Sequence, residues 1–493
     1  MRHALLLAVT CLLVTLCGAN AAADEYTVDW ELYHTKDAIF QALEDIVGTQ
    51  QAPESLAITS ETGKDGNYSS KLTVVTVEPG SLTGEDEKKI RLLLNFGEHG
   101  RELITNEVAL QLLQLLAHDD KLAAFCQRQG IPLQPLLAAL MHTVIKVVPM
   151  ENPRGRERVE AGEVCLRTNG RDVDINRNWG VHWGHKEADY DPKEEYPGTA
   201  PFSEPEAVMM KALATGFKPH VWVNVHSGME ALFLPYDHRA EVPKGPGPKA
   251  ALEILHELNR TMCGGRCAVG SGGKSVGYLA HGTATDYMFE ELGIAMAYTW
   301  EIYGDTKATY TECFRMFNPS TKQEIEKVVT AWTSAFLRLI LLLPSHPAVA
   351  KDSPAMVKAI QEGHREAKNG GTVATAANAA VASGDAAADS GLADVGNSFG
   401  TGSVDALAAQ PADAVEDVAE VTALARLREG SAAHEEGAAL QGGRGTVGWW
   451  QPPFIAVAIM LTFVCVFQRR PVWRRLSGGA RLMAPRRRAP VGV

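Results

Sequence analysis

A chain of 493 residues exceeds one average domain, yet a large α/β domain absorbs about 300 residues, so one such domain with added segments is expected. Hydrophobic residues make up 45% and charged residues 22%, a balance that excludes a chain disordered throughout. The formal net charge of -12 leaves no global basic footprint, which argues against nucleic acid as a partner.

The chain begins with Arg2-His3, an apolar run from Ala4 to Cys17 and the small residues Ala21 to Ala23. This is the pattern of a secretory signal peptide over residues 1–23, with an uncleaved anchor as the alternative. From Tyr26 to Leu343, apolar strand-like runs alternate with longer helical periodicities. That alternation predicts an α/β domain over 24–347, with a mixed, largely parallel central sheet flanked by helices. Strands are expected at Leu72 to Val77, Ile90 to Phe96, Thr143 to Val148, Val221 to Val225 and Ile294 to Glu301. Helices are expected at Leu103 to Ala117, Pro205 to Ala214, Ala250 to Met262 and Lys322 to Leu343.

After Pro347 the composition shifts to Ala, Gly, Ser, Asp and Val, with almost no aromatics before Trp449. Residues 348–447 read as a disordered low-complexity stalk, because such a stretch buries too little to offset chain entropy; a small second domain is the alternative. Trp449-Trp450, the apolar run Phe454 to Phe467 and the following Gln468-Arg469-Arg470 read as a transmembrane helix over 448–468. A basic cytoplasmic tail, 469–493, would follow, leaving the large domain extracellular or luminal. A removable lipid-anchor signal is the rival, though such signals end in hydrophobic rather than basic residues.

Cys126, Cys165, Cys263, Cys267 and Cys313 lie outside the signal and the span. An oxidising compartment permits disulfides, but an odd number leaves one thiol over and the pairing open. Asn67-Tyr68-Ser69 and Asn259-Arg260-Thr261 are glycosylation acceptors under this topology, whereas Pro319 excludes Asn318.

His99 follows an expected strand, and Glu102 comes three residues later at a helix entrance. On a helical turn the two side chains share a face and can take two corners of a zinc tetrahedron. Among 15 histidines that spacing is weak evidence, since His238 and Glu241 repeat it. His226 is the candidate third ligand, because it ends an apolar strand, where open sheets place ligands. His182 and His185 form another metal-like pair without a strand leading in.

The ordered motifs Gly97-Glu98-His99-Gly100-Arg101-Glu102, Asn152-Pro153, Asp174-Ile175-Asn176-Arg177-Asn178-Trp179, Tyr196 to Glu206, Val225-His226-Ser227 and Trp300-Glu301 resemble the zinc metallocarboxypeptidases. The resemblance covers about Trp30 to Leu343 and is closer in spacing to the N/E type than to the A/B type. It implies one Zn²⁺ held by His99, Glu102 and His226, with Glu301 as general base and peptide or protein C-termini as substrates. It further implies Asn176 and Arg177 for the substrate's terminal carboxylate, Tyr278 closing over substrate, and Arg167 stabilising the oxyanion, with Arg171 a rival for that role. Asp237 stands where the N/E type carries the acid that pairs with C-terminal Lys or Arg; Thr285 occupies the other selectivity position. Two family features are not recognised, the long inhibitory pro-segment and the β-sandwich that follows the catalytic domain in the N/E type. A related zinc deacylase of N-acyl amino acids and a catalytically inactive membrane-bound binding module are the alternatives.

Overall fold

The computed structural model describes residues 28–50, 55–79, 89–275, 278–309 and 312–368. The expected signal peptide, the membrane span, the basic tail and most of the stalk lie outside these residues.

Eight strands form one mixed sheet: β1 (Leu56–Asp65), β2 (Tyr68–Val77), β3 (Ile90–Phe96), β4 (Thr143–Val148), β5 (Val221–His226), β6 (Met229–Leu234), β7 (Ala268–Ser271) and β8 (Met296–Tyr303). Their spatial order is β1-β2-β4-β3-β5-β8-β6-β7. The centre, β4-β3-β5-β8, is parallel throughout. β1 and β2 form an antiparallel hairpin through Gly66 and Asn67, and β2 runs antiparallel to β4. Gly66 has φ of +56°, as a two-residue hairpin turn of this kind requires, and the potential glycosylation residue Asn67 is exposed there.

The strands at the centre are apolar on both faces because both faces are covered. Leu92, Leu94, Val223, Val225, Tyr298 and Trp300 enter the larger core with the helices Leu103–Ala117 and Lys322–Leu342. Leu93, Trp222 and Ala297 point the other way, into a second core with Met209, Met210 and Met288. The latter come from the helices Pro205–Phe217 and Ala284–Glu290.

The apolar run Cys313–Ser345 is long enough to cross a membrane, yet 56% of its most apolar window is buried. It contains the core helix Lys322–Leu342, whose Trp332, Phe336 and Leu339 pack inside the domain.

The expected helix Ala250 to Met262 is corrected at both ends. It begins at Pro246 and ends at Leu258, where a π-turn, Asn259–Cys263, takes over. A disulfide joins Cys263 to Cys267 and another joins Cys165 to Cys313, leaving Cys126 as a buried free thiol.

Ordered structure also continues past Pro347, through the helices Pro347–Asp352 and Pro354–Lys368. Val349, Met356 and Ile360 are buried in the large core, so the first part of the expected stalk belongs to the globular body.

Candidate metal and active site

Three neighbouring parallel strands, β3, β5 and β8, end at one crevice and deliver the candidate ligands and base. β3 ends at Phe96 and the chain turns at Gly97, whose φ of +64° and proximity to Asn106 and Met150 leave no room for a side chain. The turn carries Glu98 and His99 onto the crevice, and Glu102 stands at the position just before the following helix, Leu103–Ala117, without capping it. His226 is the last residue of β5, and its register partner on β8 is Glu301.

His99 Nδ1 lies 2.7 Å from Glu102 Oε1, and His226 Nδ1 lies 3.1 Å from Glu102 Oε2. The two Nδ1 atoms face each other at 3.1 Å. A tetrahedral ion with ligand bonds of about 2.0–2.1 Å holds its donor atoms about 3.3 Å apart, so this donor set fits zinc in both chemistry and spacing. Electrostatics agrees. Burial opposes charge on Glu102, but the two imidazoles override it and hold the carboxyl well below its ordinary range. His226 is likewise driven well above its ordinary value against its burial, by Glu102 and Glu98 on opposite sides of the ring. The cluster calls for positive charge at the point where its donor atoms converge.

Glu98 is also within reach, since one of its oxygens and the ring nitrogens of His99 and His226 lie within 4.8 Å of one another. Its carboxylate faces the far nitrogen, His226 Nε2, at 3.2 Å. That geometry orients the ring, whereas Glu102 addresses the converging Nδ1 atoms, so Glu102 is the better third ligand. Asn224 donates to Glu98 at 2.7 Å, and Asn95 donates to Asn224 at 2.9 Å and also to Glu151. Burial and the neighbouring Glu98 raise Glu151 well above the ordinary carboxylate range.

Asp174 is the second organising group. Its Oδ1 accepts from the Asn176 backbone N–H at 3.0 Å and faces His99 Nε2 at 3.2 Å, while Oδ2 accepts from Arg167 Nε at 2.8 Å. Arg177 Nη1 stands 3.8 Å from the same Oδ2. Asp174 is fully buried, but Arg167 and Arg177 keep it well below its ordinary pKa.

Arg167 Nη1 reaches to 3.3 Å from His99 Nδ1 and therefore flanks the candidate metal ligands. Arg171 is elsewhere: it pairs with Asp65 and Glu204 and covers the Tyr68 ring, a structural role. Arg177 is steadied by Glu195 at 3.0 Å, and Asn176 Oδ1 accepts from Ala284 N, which leaves Nδ2 as that side chain's donor. Burial opposes charge on Arg167 and Arg177, but Asp174 overrides it and raises both guanidiniums above their ordinary value; Tyr278 lies within electrostatic range of both.

Asp237 lies at the start of the turn that follows β6. Its backbone N–H donates to Asp286 at 2.9 Å, as does that of His238 at 3.1 Å. Burial and Asp286 push the Asp237 carboxyl up to about 7. Thr285 hydrogen-bonds Thr299 at 2.7 Å. Glu301 is pushed up to about 7 by burial, and its Oε2 has no hydrogen-bond partner.

The similarly spaced His238 and Glu241 do not pair: His238 Nδ1 bonds Asp286 at 2.7 Å, and Glu241 pairs with Arg239. His182 and His185 also separate, His182 facing Glu290 at 2.8 Å and His185 facing Glu187 at 3.2 Å.

The sequence did not single out Glu151, Asp286, Asn95 and Asn224, and Glu98 and Asp174 stand within its motifs without a role. The available signal was polar residues interrupting apolar strands, at Asn95 and Asn224, which are register partners on β3 and β5.

A model of the zinc carboxypeptidase family matches residues 66–334, more than half of the chain. Among curated proteins, mouse carboxypeptidase A4 is 25% identical over 237 residues, covering 45% of this chain and 52% of that protein. Drosophila melanogaster zinc carboxypeptidase A 1 is 22% identical over 320 residues, covering 62% and 70%. The chain thus spans about half the length of the first relative. Among solved structures, that of thrombin activatable fibrinolysis inhibitor superposes with a TM-score of 0.51 at 19% identity, covering 65% of this chain and 77% of that one. That likeness concerns the fold alone.

Proposed function

The chain belongs to the zinc carboxypeptidase family, and on that premise we propose that it is a zinc-dependent exopeptidase removing the C-terminal residue of peptides or proteins. The observation that carries the reading is the convergence of His99 Nδ1, His226 Nδ1 and both Glu102 oxygens at the ends of β3 and β5, with Glu301 in register beside them. His99, Glu102 and His226 would hold the zinc ion, which would supply Lewis-acid chemistry, lowering the pKa of a water and polarising the scissile carbonyl.

The chain's own groups then divide the remaining work. Arg177 and the Asn176 amide bind the terminal carboxylate of the substrate, and the fixed guanidinium fork suits that anion. Glu301 takes a proton from the attacking water and delivers it to the leaving amine as the C–N bond breaks. Arg167 donates to the oxygen of the scissile carbonyl as it becomes negative. Tyr278 covers the bound end and limits water access. Asp237 confers a preference for C-terminal Lys or Arg, and Thr285, bonded to Thr299, adds no charge.

The enzyme enters the secretory pathway through residues 1–23, and residues 448–468 tether it to a membrane with the catalytic domain outside or in the lumen. The test is a panel of peptides differing only in the last residue. Release of that residue, with Lys and Arg fastest, supports the reading. Turnover of N-acyl amino acids without peptide turnover refutes it.

A further inference from the structure

A second convergence of imidazoles on a carboxylate lies at the rim. We infer that His185, Glu187 and His281 form a separate binding site for a divalent transition-metal ion of the zinc class. His281 Nε2 lies 2.7 Å and His185 Nε2 3.2 Å from the same oxygen, Glu187 Oε1. All three donor atoms lie within 4.8 Å of one another, and the two rings meet at 4.2 Å with a 57° tilt. This repeats the arrangement of the buried centre, where two ring nitrogens also face one carboxylate.

The donors come from two segments almost a hundred residues apart, so local spacing does not explain their meeting. His281 is held in place by its neighbours: Ala280 N donates to Asp237 O at 3.0 Å, and Trp179 N donates to Gly282 O at 3.0 Å. Gly282, with φ of +71°, packs against the Arg177 carbonyl. The site therefore stands next to the pocket for the terminal carboxylate. Two imidazoles and a carboxylate suit zinc, copper or nickel rather than calcium or magnesium. Side-chain exposures of 60% for His185, 32% for Glu187 and 11% for His281 leave positions for water and make the ion exchangeable.

The adjacent group His182, His238 and Glu290 is a poorer candidate. Its two rings stack face to face at 3.8 Å, His238 Nδ1 is committed to Asp286, and the Arg239 cation stands 3.9 Å from Glu290. An ion at His185, Glu187 and His281 ties the loop carrying His185 to the segment that follows Tyr278.

The test is equilibrium dialysis of the zinc-loaded protein against buffered micromolar free zinc near neutral pH. Wild type takes up a second equivalent, His185→Ala weakens that uptake by about 100-fold or more, and His182→Ala leaves it unchanged. His99→Ala loses the catalytic ion and keeps this one, which separates failure of either site from failure of the other. A single ion at saturation in wild type overturns the inference. So does a second ion that survives His185→Ala or depends on His182.

Discussion

The buried cluster of His99, Glu102 and His226 and the rim cluster of His185, Glu187 and His281 contain the same side-chain types, yet their surroundings differ. In the crevice every ligand is backed by a further group: Asp174 stands behind His99, Glu98 behind His226, and the Ser227 N–H donates to Glu102 at 3.1 Å. At the rim, His185 and Glu187 lie partly open to solvent instead. Ligand identity alone therefore does not make a catalytic centre. Burial forces each polar atom to be paired, and those pairs fix ring orientation, exclude alternatives and raise the affinity for a cation. Glu301 and Arg167 stand only beside the buried cluster, which is why hydrolysis is assigned there.

Variants sharpen this contrast. The largest effect is expected for Glu301→Gln, which removes the base and lowers kcat about 10³- to 10⁴-fold while bound zinc, read by elemental analysis, stays constant. The acid limb of kcat/KM tests the same group. Burial raises Glu301 to about 7 against the pull of His226, so activity rises with pH through a midpoint near 7 as the base ionises. Next comes Arg167→Ala, expected to cost about 10²- to 10³-fold in kcat, with Arg171→Ala leaving kcat unchanged.

Asp174→Asn preserves shape but removes the charge behind His99, and zinc affinity measured by chelator competition falls about 10- to 100-fold. Selectivity should respond more gently. Because Asp237 is raised to about 7, it is protonated below that pH and ionised above it, so the rate ratio for peptides ending in Arg over Phe increases as pH rises through about 7. Asp237→Asn flattens that profile. The smallest effect belongs to His185→Ala, whose exposed side chain leaves thermal stability within about 0.5 kcal/mol of wild type.

How much of this was legible varied with range in sequence. β3, β4 and the helix Leu103–Ala117 appear where apolar periodicity placed them, because each is a continuous run with both faces or one broad stripe buried. β1 was missed because it is largely exposed and polar, as an edge strand is, and β7 because it has only four residues, one of them Gly270. The helix Ala284–Glu290 is seven residues long, too short for a periodicity to declare itself. The meeting of His99 with Glu102 was readable since they are neighbours in sequence, although the same spacing at His238 and Glu241 makes no pair. The pairing of Glu98 with Asn224 and of Asp237 with Asp286 spans 126 and 49 residues, and no local pattern encodes such contacts. The stalk reading failed at its start for a related reason: Met356 and Ile360 show their burial only once the helix Leu133–Met141 stands opposite Gly363.

The central claim is that the crevice at the ends of β3, β5 and β8 cuts one residue at a time from a peptide's C-terminus. Mass spectrometry of a single peptide ending in Arg, incubated with wild type and with zinc-loaded Glu301→Gln, tests it most directly. Loss of the last residue alone is expected with wild type, and an intact peptide with the variant. Cleavage at an internal bond, or equal release by both proteins, contradicts it.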